Sequence, residues 1–474
     1  MRQARKALGT TLLGLALLGA LAFTPAYAQS VVRAGWVRNY VSGNDPEFAF
    51  ANATAVDGSG NVYVTGSSYA ANGLADYATV KYSSSGETLW VQRYNGPDDN
   101  WDAATELALD AAGNVYVTGH SYGSNDFDYV TLKYSPTGAQ EWVARYDGPP
   151  NGEDWPTGLA VDAAGNAYVT GWSGGTGTFY DYATVKYSSS GAQQWAGRYN
   201  GPGNTRDRAQ AVAVDGSGNV YVTGDSGEGS DNHSDYVTVK YSAAGGQQWA
   251  ARYDNSYDYA TDLAVGPQGD VYVTGYSQGS GTSYDYVTIK YSPAGQQGWL
   301  DRFHGGLGED RPYDLTTDAS GNVYVTGETV EAGTGGEFGT IKYSPTGSRQ
   351  WVARYNGPVD FGPEVGRAVV VDAAGNVYVT GESGGDGTGT DFATVKYSAS
   401  GLQQWVARYN GSGDTYDDAT ALAVDRFGRV YVTGRSSRTG GSEYTTIKYV
   451  QISTSTEIQG RPRGLALPED PGSP

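Results

Sequence analysis

The chain of 474 residues contains no cysteine, one methionine and only three histidines. Without cysteine, neither disulfides nor thiolate metal ligands are available, so the fold must depend on burial and hydrogen bonds. No apolar stretch after residue 23 is long enough to span a bilayer. Basic residues are outnumbered by acidic residues, so the formal net charge is −20. Such an acidic chain repels phosphate backbones and anionic lipids, so we expect neither nucleic acid nor membrane partners.

The first 28 residues have the pattern of a secretory signal peptide. Arg2, Arg5 and Lys6 precede an uncharged apolar run that ends at Phe23, and the small residues Ala26 and Ala28 follow it. This order predicts cleavage near Ala28 and a secreted chain in the periplasm, at the cell surface or in the medium. A membrane anchor is the alternative, although the run is short for a span. We expect residues 29–35 to be a short linker and residues 450–474 to be a tail, disordered beyond Gly460.

The rest of the chain repeats one cassette eight times between Trp36 and Tyr449. Each copy contains Trp-x-x-Arg-Tyr, Asp-x-x-Gly-Asn-Val-Tyr-Val-Thr-Gly and Tyr-x-Thr-x-Lys-Tyr, with small variations, and the period is 51 to 54 residues. A period of this length indicates an array of one structural unit. Each cassette has four short runs rich in Val, Tyr, Thr and Trp, with Gly-containing turns after the first and third runs. The unit is therefore predicted to be a four-stranded antiparallel sheet.

The repeat predicts an all-β, eight-bladed β-propeller over residues 36–449. One small sheet cannot bury both of its apolar faces, so the sheets must stack, and four strands per repeat favour radial closure over an open solenoid. The opening run Trp36 to Tyr40 has no preceding partner, and the last cassette lacks the corresponding run. We therefore predict that the N-terminal strand completes the last blade and closes the ring.

The Asp-x-x-Gly-Asn-Val-Tyr-Val-Thr-Gly element, as at Asp110–Gly119 and Asp372–Gly381, resembles the bacterial β-propeller repeat known as SBBP. The resemblance implies an exported or surface-located bacterial protein, and most members have no assigned activity. The family's name implies seven blades, whereas this chain carries eight cassettes.

Ligand-binding residues are expected on one side of the disc. Antiparallel strands place the two nearly invariant hairpin turns together, and the two connections that differ among the copies lie on the opposite side. Binding residues generally lie on such variable loops above a rigid frame. The candidates are aromatic and histidine residues that break the repeat: Trp101, Trp155, Trp172, His120 and His233. The aromatic rings could stack on a sugar or an apolar ligand, or pack over their own loops.

Seven cassettes carry a carboxylate five residues before the Leu or Val of the first strand. They are Asp102, Asp154, Asp207, Asp258, Asp310, Glu364 and Asp417, and the first cassette has Ala49 there. We expect these residues to surround the mouth of the central channel. They could bind a cation such as Ca²⁺, accept local turn hydrogen bonds, or pair with the repeated arginine. For the repeated lysines and arginines, pairing between blades is favoured over anion binding.

The sequence favours a binding module for a protein or a glycan at the cell exterior, and we expect a monomer. One alternative is a propeller enzyme, a lyase or hydrolase, with His120 or His233 and nearby carboxylates. The three histidines are expected on well-separated blades, however, and no nucleophile elbow or metalloprotease helix is present. A structural surface protein, stabilised by cations, is the second alternative. A non-enzymatic function is therefore favoured.

Overall fold

The computed structural model describes residues 30–453 except 42–47, 71, 124, 150, 229–232, 280–282, 307, 332–334 and 360–361. The predicted signal peptide and the tail beyond residue 453 lie outside the described residues. Every regular element of the described residues is a β-strand. Since this part of the chain contains no helix, it has no helix that could cross a bilayer.

Thirty-two strands form eight four-stranded antiparallel sheets, called blades 1 to 8. The inner strands of blades 1 to 8 are β2 (Ala49–Val56), β6 (Asp102–Leu109), β10 (Asp154–Val161), β14 (Asp207–Val214), β18 (Asp258–Val265), β22 (Arg311–Thr317), β26 (Glu364–Val371) and β30 (Asp417–Val424). The second strands are β3 (Val62–Tyr69), β7 (Val115–Tyr122), β11 (Ala167–Gly174), β15 (Val220–Glu228), β19 (Val271–Gln278), β23 (Val323–Val330), β27 (Val377–Gly385) and β31 (Val430–Arg438). The third strands are β4 (Ala75–Tyr82), β8 (Phe127–Tyr134), β12 (Tyr180–Tyr187), β16 (His233–Tyr241), β20 (Tyr284–Tyr291), β24 (Gly336–Tyr343), β28 (Gly389–Tyr397) and β32 (Gly441–Ser453). The outer strands are β5 (Thr88–Tyr94), β9 (Gln140–Tyr146), β13 (Gln193–Tyr199), β17 (Gln247–Tyr253), β21 (Gln297–Phe303), β25 (Arg349–Tyr355), β29 (Gln403–Tyr409) and, for blade 8, β1 (Ser30–Tyr40).

The first and last strands of the described residues pair in blade 8, so the predicted propeller and its mode of closure are confirmed. Strand β1 pairs antiparallel with β32, from Ser30 opposite Ser453 to Tyr40 opposite Tyr444. Residues 30–35, which we expected to be a linker, form the first half of this outer strand. They continue the pairing because β32 extends through residues 450–453, the start of the expected tail.

The hydrophobic core is divided into eight clusters, one at each junction between neighbouring blades. At the junction of blades 1 and 2, Tyr63 and Tyr77 pack with Leu107, Val117 and Leu132. Both faces of a blade are therefore apolar, and the second and third strands are buried almost throughout. The ring is held together by burial between adjacent sheets, which a single sheet could not achieve.

A repeated lysine and tryptophan also connect seven of the eight blades to the next; in blade 7, Lys396 donates to the Gln451 side chain instead, and Trp405 Nε1 has no partner among the described residues. In blade 1, Lys81 Nζ and Trp90 Nε1 donate to the same acceptor, the carbonyl oxygen of Pro136 in blade 2, at 2.8 and 3.2 Å. The Lys81 ammonium group also lies 4.8 Å from the centroid of the Tyr63 ring. The expected pairing between blades is thus a charge-assisted hydrogen bond to a turn carbonyl. Blade 8 contacts blade 1 in the same way, because Lys448 and Trp36 donate to Ser84.

Candidate functional site

The connections that differ among the copies lie on one side of the disc, here called the variable rim. They join each second strand to the third strand, and each outer strand to the next blade. The Asp-x-x-Gly-Asn and Ser-x-x-Gly turns lie on the opposite side, called the uniform face.

An aromatic cluster occupies the variable rim at blades 2 and 3. The rings of Trp155 and Trp172 stack with their centroids 5.7 Å apart, and His120 lies 3.9 Å from Trp155. Phe127 and Tyr180 extend the cluster at 5.1 Å from Trp155 and 4.3 Å from Trp172, respectively. Trp155 and Trp172 meet because they are directly opposite each other on the paired strands β10 and β11. The structure thus brings together three of the five predicted binding residues.

His120 is buried within this cluster. Burial lowers the pKa of the imidazole to about 4, so the ring is neutral at physiological pH. Its Nδ1 atom and the Nε1 atom of Trp155 have no hydrogen-bond partner among the described residues. His120 therefore shapes an aromatic surface and is poorly suited to proton transfer.

The two other predicted binding residues lie elsewhere on the variable rim. Trp101 is 40% exposed and packs edge-on against Tyr69, with centroids 5.5 Å apart. His233 contacts Tyr257 near blade 5, at 4.8 Å. The third histidine, His304, is 3.1 Å from Asp285 at a different junction. The histidines are thus spread around the ring, as the sequence predicted.

Paired charges accompany the aromatic residues at corresponding positions of other blades. In blade 4, the guanidinium of Arg208 contacts the buried carboxylate of Asp225 at 3.1 Å. In blade 7, Glu382 occupies the position of Trp172 and pairs at 2.5 Å with Arg367, which lies two residues after the position of Trp155 and also lines the central channel. Arg311 lies over the rings of two tyrosines of blade 5 at 5.4 and 5.7 Å. These charges were not among the predicted site residues, although they break the repeat as clearly as the tryptophans do.

The seven repeated carboxylates are buried in the blade junctions and do not line the channel. Asp154 is completely buried, and its Oδ2 atom accepts a hydrogen bond of 2.6 Å from the Gly148 amide in the preceding connection. Asp102, Asp207 and Asp417 accept the equivalent amide bond. The expected position at the channel mouth is therefore wrong, because the strand directs these side chains between the sheets. Cation binding by Asp102, Asp154, Asp207, Asp258, Asp310, Glu364 and Asp417 stays a prediction.

The repeated arginine forms its ion pair within its own blade, and in several blades it also donates across the junction to a tyrosine hydroxyl of the preceding blade, as Arg198 does to Tyr146 at 3.4 Å. Arg145 of the outer strand in blade 2 contacts Asp128 of the third strand at 2.5 Å and also donates to Ser121. Arg198 makes the same contacts with Asp181 and Ser173 in blade 3. Both guanidinium groups lie beside a junction carboxylate without forming an ion pair with it. This repeated arrangement fits a structural role better than anion binding.

The central channel contains three carboxylates that the sequence analysis did not select. It encloses about 440 Å³ and is lined by the inner strands of all eight blades. Glu106, Asp262 and Asp314 occupy a position at which the other five blades have other, uncharged residues. Their departure from the repeat was the available signal.

These channel carboxylates are poorly solvated. Burial, with the charge of Asp314 as a second cause, raises the pKa of Glu106 to about 8. Burial also raises the pKa of Asp262, which hydrogen-bonds to Asp314 of the next blade. The Asp314 pKa is likewise raised by burial. Glu106 is therefore mostly protonated near neutral pH.

The fold and the variable rim define the class of this protein: a closed eight-bladed β-propeller repeat protein with one diversified face. The family model described as SBBP, beta-propeller repeat, matches residues 142–177, 194–229, 296–331 and 404–441. The predicted resemblance is confirmed at these four segments, each of which starts in or immediately before an outer strand and continues into the next blade.

Among solved structures, Sqt1 from Chaetomium thermophilum has a TM-score of 0.56 at 9% identity, covering 90% of this chain and 100% of that chain. A protein of unknown function from Bacteroides caccae has a TM-score of 0.37 at 12% identity, covering 65% and 97%. XC5397 from Xanthomonas campestris, described as a gluconolactonase, has a TM-score of 0.32 at 17% identity, covering 62% and 86%. These likenesses concern the fold alone. No curated protein matches the sequence.

Proposed function

We propose that the protein is an exported binding module whose variable rim recognises a glycan. The observation that carries this proposal is the one-sided exposure of aromatic rings. Among the described residues, five aromatic side chains are strongly exposed, and Phe48, Trp101, Phe179 and Tyr416 lie on the variable rim. Of these five, only Phe427 lies on the uniform face.

A carbohydrate ligand fits the chemistry of the variable rim. Aromatic faces bind the C–H faces of sugar rings, and paired arginine and carboxylate groups can hydrogen-bond to hydroxyls. The variable rim provides both, since Trp101 and Phe179 are exposed on the same side of the disc as Arg–carboxylate pairs held by the scaffold. A protein ligand is the second candidate, because the same exposed rings would also suit an interface.

A glycan array probed with residues 29–474 tests the proposal. We expect selective capture of one glycan class and at least tenfold weaker binding after Trp101→Ala or Phe179→Ala. Phe427→Ala is the matched control, because it removes an equally exposed ring from the uniform face. An empty array, or equal losses in the control and the rim variants, would refute glycan recognition by the variable rim. Specific capture of a protein with an empty array would support the second candidate.

Export is part of the proposal and is tested separately. Expression of the full chain in a bacterium should yield a processed protein outside the cytoplasm, with an N-terminus at Gln29 by mass spectrometry. A full-length, unprocessed chain in the cytoplasm would contradict export without affecting the glycan test.

A further inference from the structure

We propose that the junction between blades 2 and 3 binds a hard divalent cation such as Ca²⁺ through Asp128, Asp147 and Asp154. The three side chains come from strand β8, the connection between the two blades, and the start of β10. One carboxylate oxygen from each residue lies within 4.8 Å of the other two. Asp128 and Asp154 are buried, whereas Asp147 is exposed and gives access from solvent.

The second observation is that two buried oxygens in this cluster have no partner. Asp128 uses Oδ2 for Arg145, and Asp154 uses Oδ2 for the Gly148 amide. The Oδ1 atoms of both aspartates accept no hydrogen bond from the described residues. Buried carboxylate oxygens without partners are costly to desolvate. The junction of blades 1 and 2 has the equivalent unpaired oxygens on Asp76 and Asp102, so the third carboxylate, Asp147, distinguishes the junction of blades 2 and 3.

The local charge also favours a cation. The guanidinium of Arg145 compensates only one of the three carboxylates, and Arg198 of blade 3 is engaged by Asp181 and Ser173. A divalent cation would neutralise the two remaining negative charges.

The ligand set points to a hard cation. Every candidate donor in the cluster is a carboxylate oxygen, and calcium takes six to eight oxygen ligands. Water can complete the coordination from the exposed side of Asp147.

Two features of the other junctions make them less suitable for a cation. At the position of Asp147, blades 1 and 3 are followed by Asn95 and Asn200, whose amides donate to a side chain four residues later, at 2.7 Å in each case. The junction of blades 4 and 5 has a comparable cluster of Glu228, Asp235 and Asp254. There, Arg252 contacts two of the three carboxylates, whereas Arg145 contacts only Asp128 in the cluster between blades 2 and 3. The junction of blades 2 and 3 is therefore the better cation site.

The chain itself supplies a conservative test. In Asp147→Asn, the new amide can donate to Asn151, which has the same left-handed conformation (φ 62°) as Asn204, the partner of Asn200 (φ 49°). The variant should fold normally while losing one anionic ligand. Asn200→Asp is the converse change and should create a third carboxylate beside Asp181 and Asp207.

Ca²⁺ is titrated into the chelator-treated mature chain, with Tb³⁺ luminescence as a second readout. We expect saturable binding, a higher melting temperature with Ca²⁺, and at least tenfold weaker binding at this site in Asp147→Asn. Asn200→Asp should gain a site. A crystal grown with Ca²⁺ should show an ion at this junction, about 2.3–2.6 Å from six or more oxygens.

Three results would overturn the proposal: no effect of Ca²⁺ on the wild-type melting temperature, identical binding by wild type and Asp147→Asn, or density at hydrogen-bond distances typical of water. These results do not bear on glycan capture by the variable rim, so the two proposals can fail separately.

Discussion

Glycine at the end of each outer hairpin is required for two reasons, and Gly138 illustrates both. Its φ of 89° lies in the left-handed region, where a side chain is strained. A Cβ atom there would also come within 2.9 Å of the Trp90 ring of the preceding blade. The residue therefore combines a turn conformation with a contact that connects two blades.

Gly138→Ala should lower the free energy of unfolding by about 2–4 kcal/mol, because backbone strain and overpacking add together. Gly177→Ala is the control, since Gly177 has a similar φ of 79°, but a Cβ atom added there would meet no atom within 4 Å. We expect a cost of about 1 kcal/mol there. Denaturant unfolding measures both, and equal costs would show that the Trp90 contact is unimportant.

Glu106 should make the stability of the protein depend on pH. Its pKa is about 8 in the folded protein, above the ordinary value of 4.5, so folding favours the protonated form. As pH rises from about 4.5 to 8, the unfolded chain loses this proton first, and stability falls. Glu106→Gln should raise the melting temperature by a few degrees at pH 8.5 and leave it unchanged near pH 4. Equal melting temperatures of the two proteins at pH 8.5 would contradict the raised pKa.

At the scale of the element, the Asp-x-x-Gly-Asn turn is held by one carboxylate. In blade 2, Asp110 accepts bonds of 2.9 Å from the Ala112 and Asn114 amides, and a third from the Asn114 side chain at 2.7 Å. Burial alone would raise the pKa of Asp110, but these hydrogen bonds hold it below its ordinary value. The turn thus prefers the ionised carboxylate.

Asp110→Ala should lower the free energy of unfolding by about 1–2 kcal/mol at pH 7, since these donors and the Tyr116 hydroxyl lose their acceptor. Because the folded pKa is lowered, the contribution is present above about pH 4 and disappears as pH falls through the folded value. Chemical unfolding at pH 7 and pH 2.5 measures the difference. A cost that stays the same at both pH values would exclude a role for the ionised group.

The sequence predicted the blade and not the direction of every side chain. The strands, the turns and the closure could be predicted from the period, because every cassette must bury the same two apolar faces against its neighbours. The junction carboxylates, such as Asp154, were predicted to lie at the channel. This prediction was wrong because the spacing from a buried residue does not determine on which side of an inner strand a side chain lies. A register shift in each inner strand, as between Ala104 and Glu106, changes that direction. Ser30 to Gly35 were missed because they carry no repeat motif.

At the scale of the whole molecule, the ring depends on the pairing of β1 with β32. Without β1, β32 would be an exposed edge strand, and the contacts of Trp36 with blade 1 would be lost. The strand is also longer than the other outer strands, with 11 residues rather than seven. Closure of the ring therefore depends on an unusually long antiparallel pairing between β1 and β32.

Removal of residues 1–40 should abolish the pairing of β1 with β32 and open the ring. We expect a melting temperature lower by at least about 10 °C and association of the truncated chain through the uncovered edge. Removal of residues 1–28 is the control, because it leaves β1 intact. Thermal melting and light scattering coupled to size-exclusion chromatography measure both effects, and a monomer with unchanged melting would contradict the role of β1.

The pairing of Ser30 with Ser453 also sets the orientation of the disc relative to anything attached to it. The opposite end of β1, at Tyr40, leads into the variable rim, so Ser30 and Ser453 lie together on the side of the uniform face. A tether attached at Ser30 or at Ser453 would therefore leave the disc at the same place on the uniform face. It would hold the disc with its diversified loops directed away from the point of attachment and towards the surroundings.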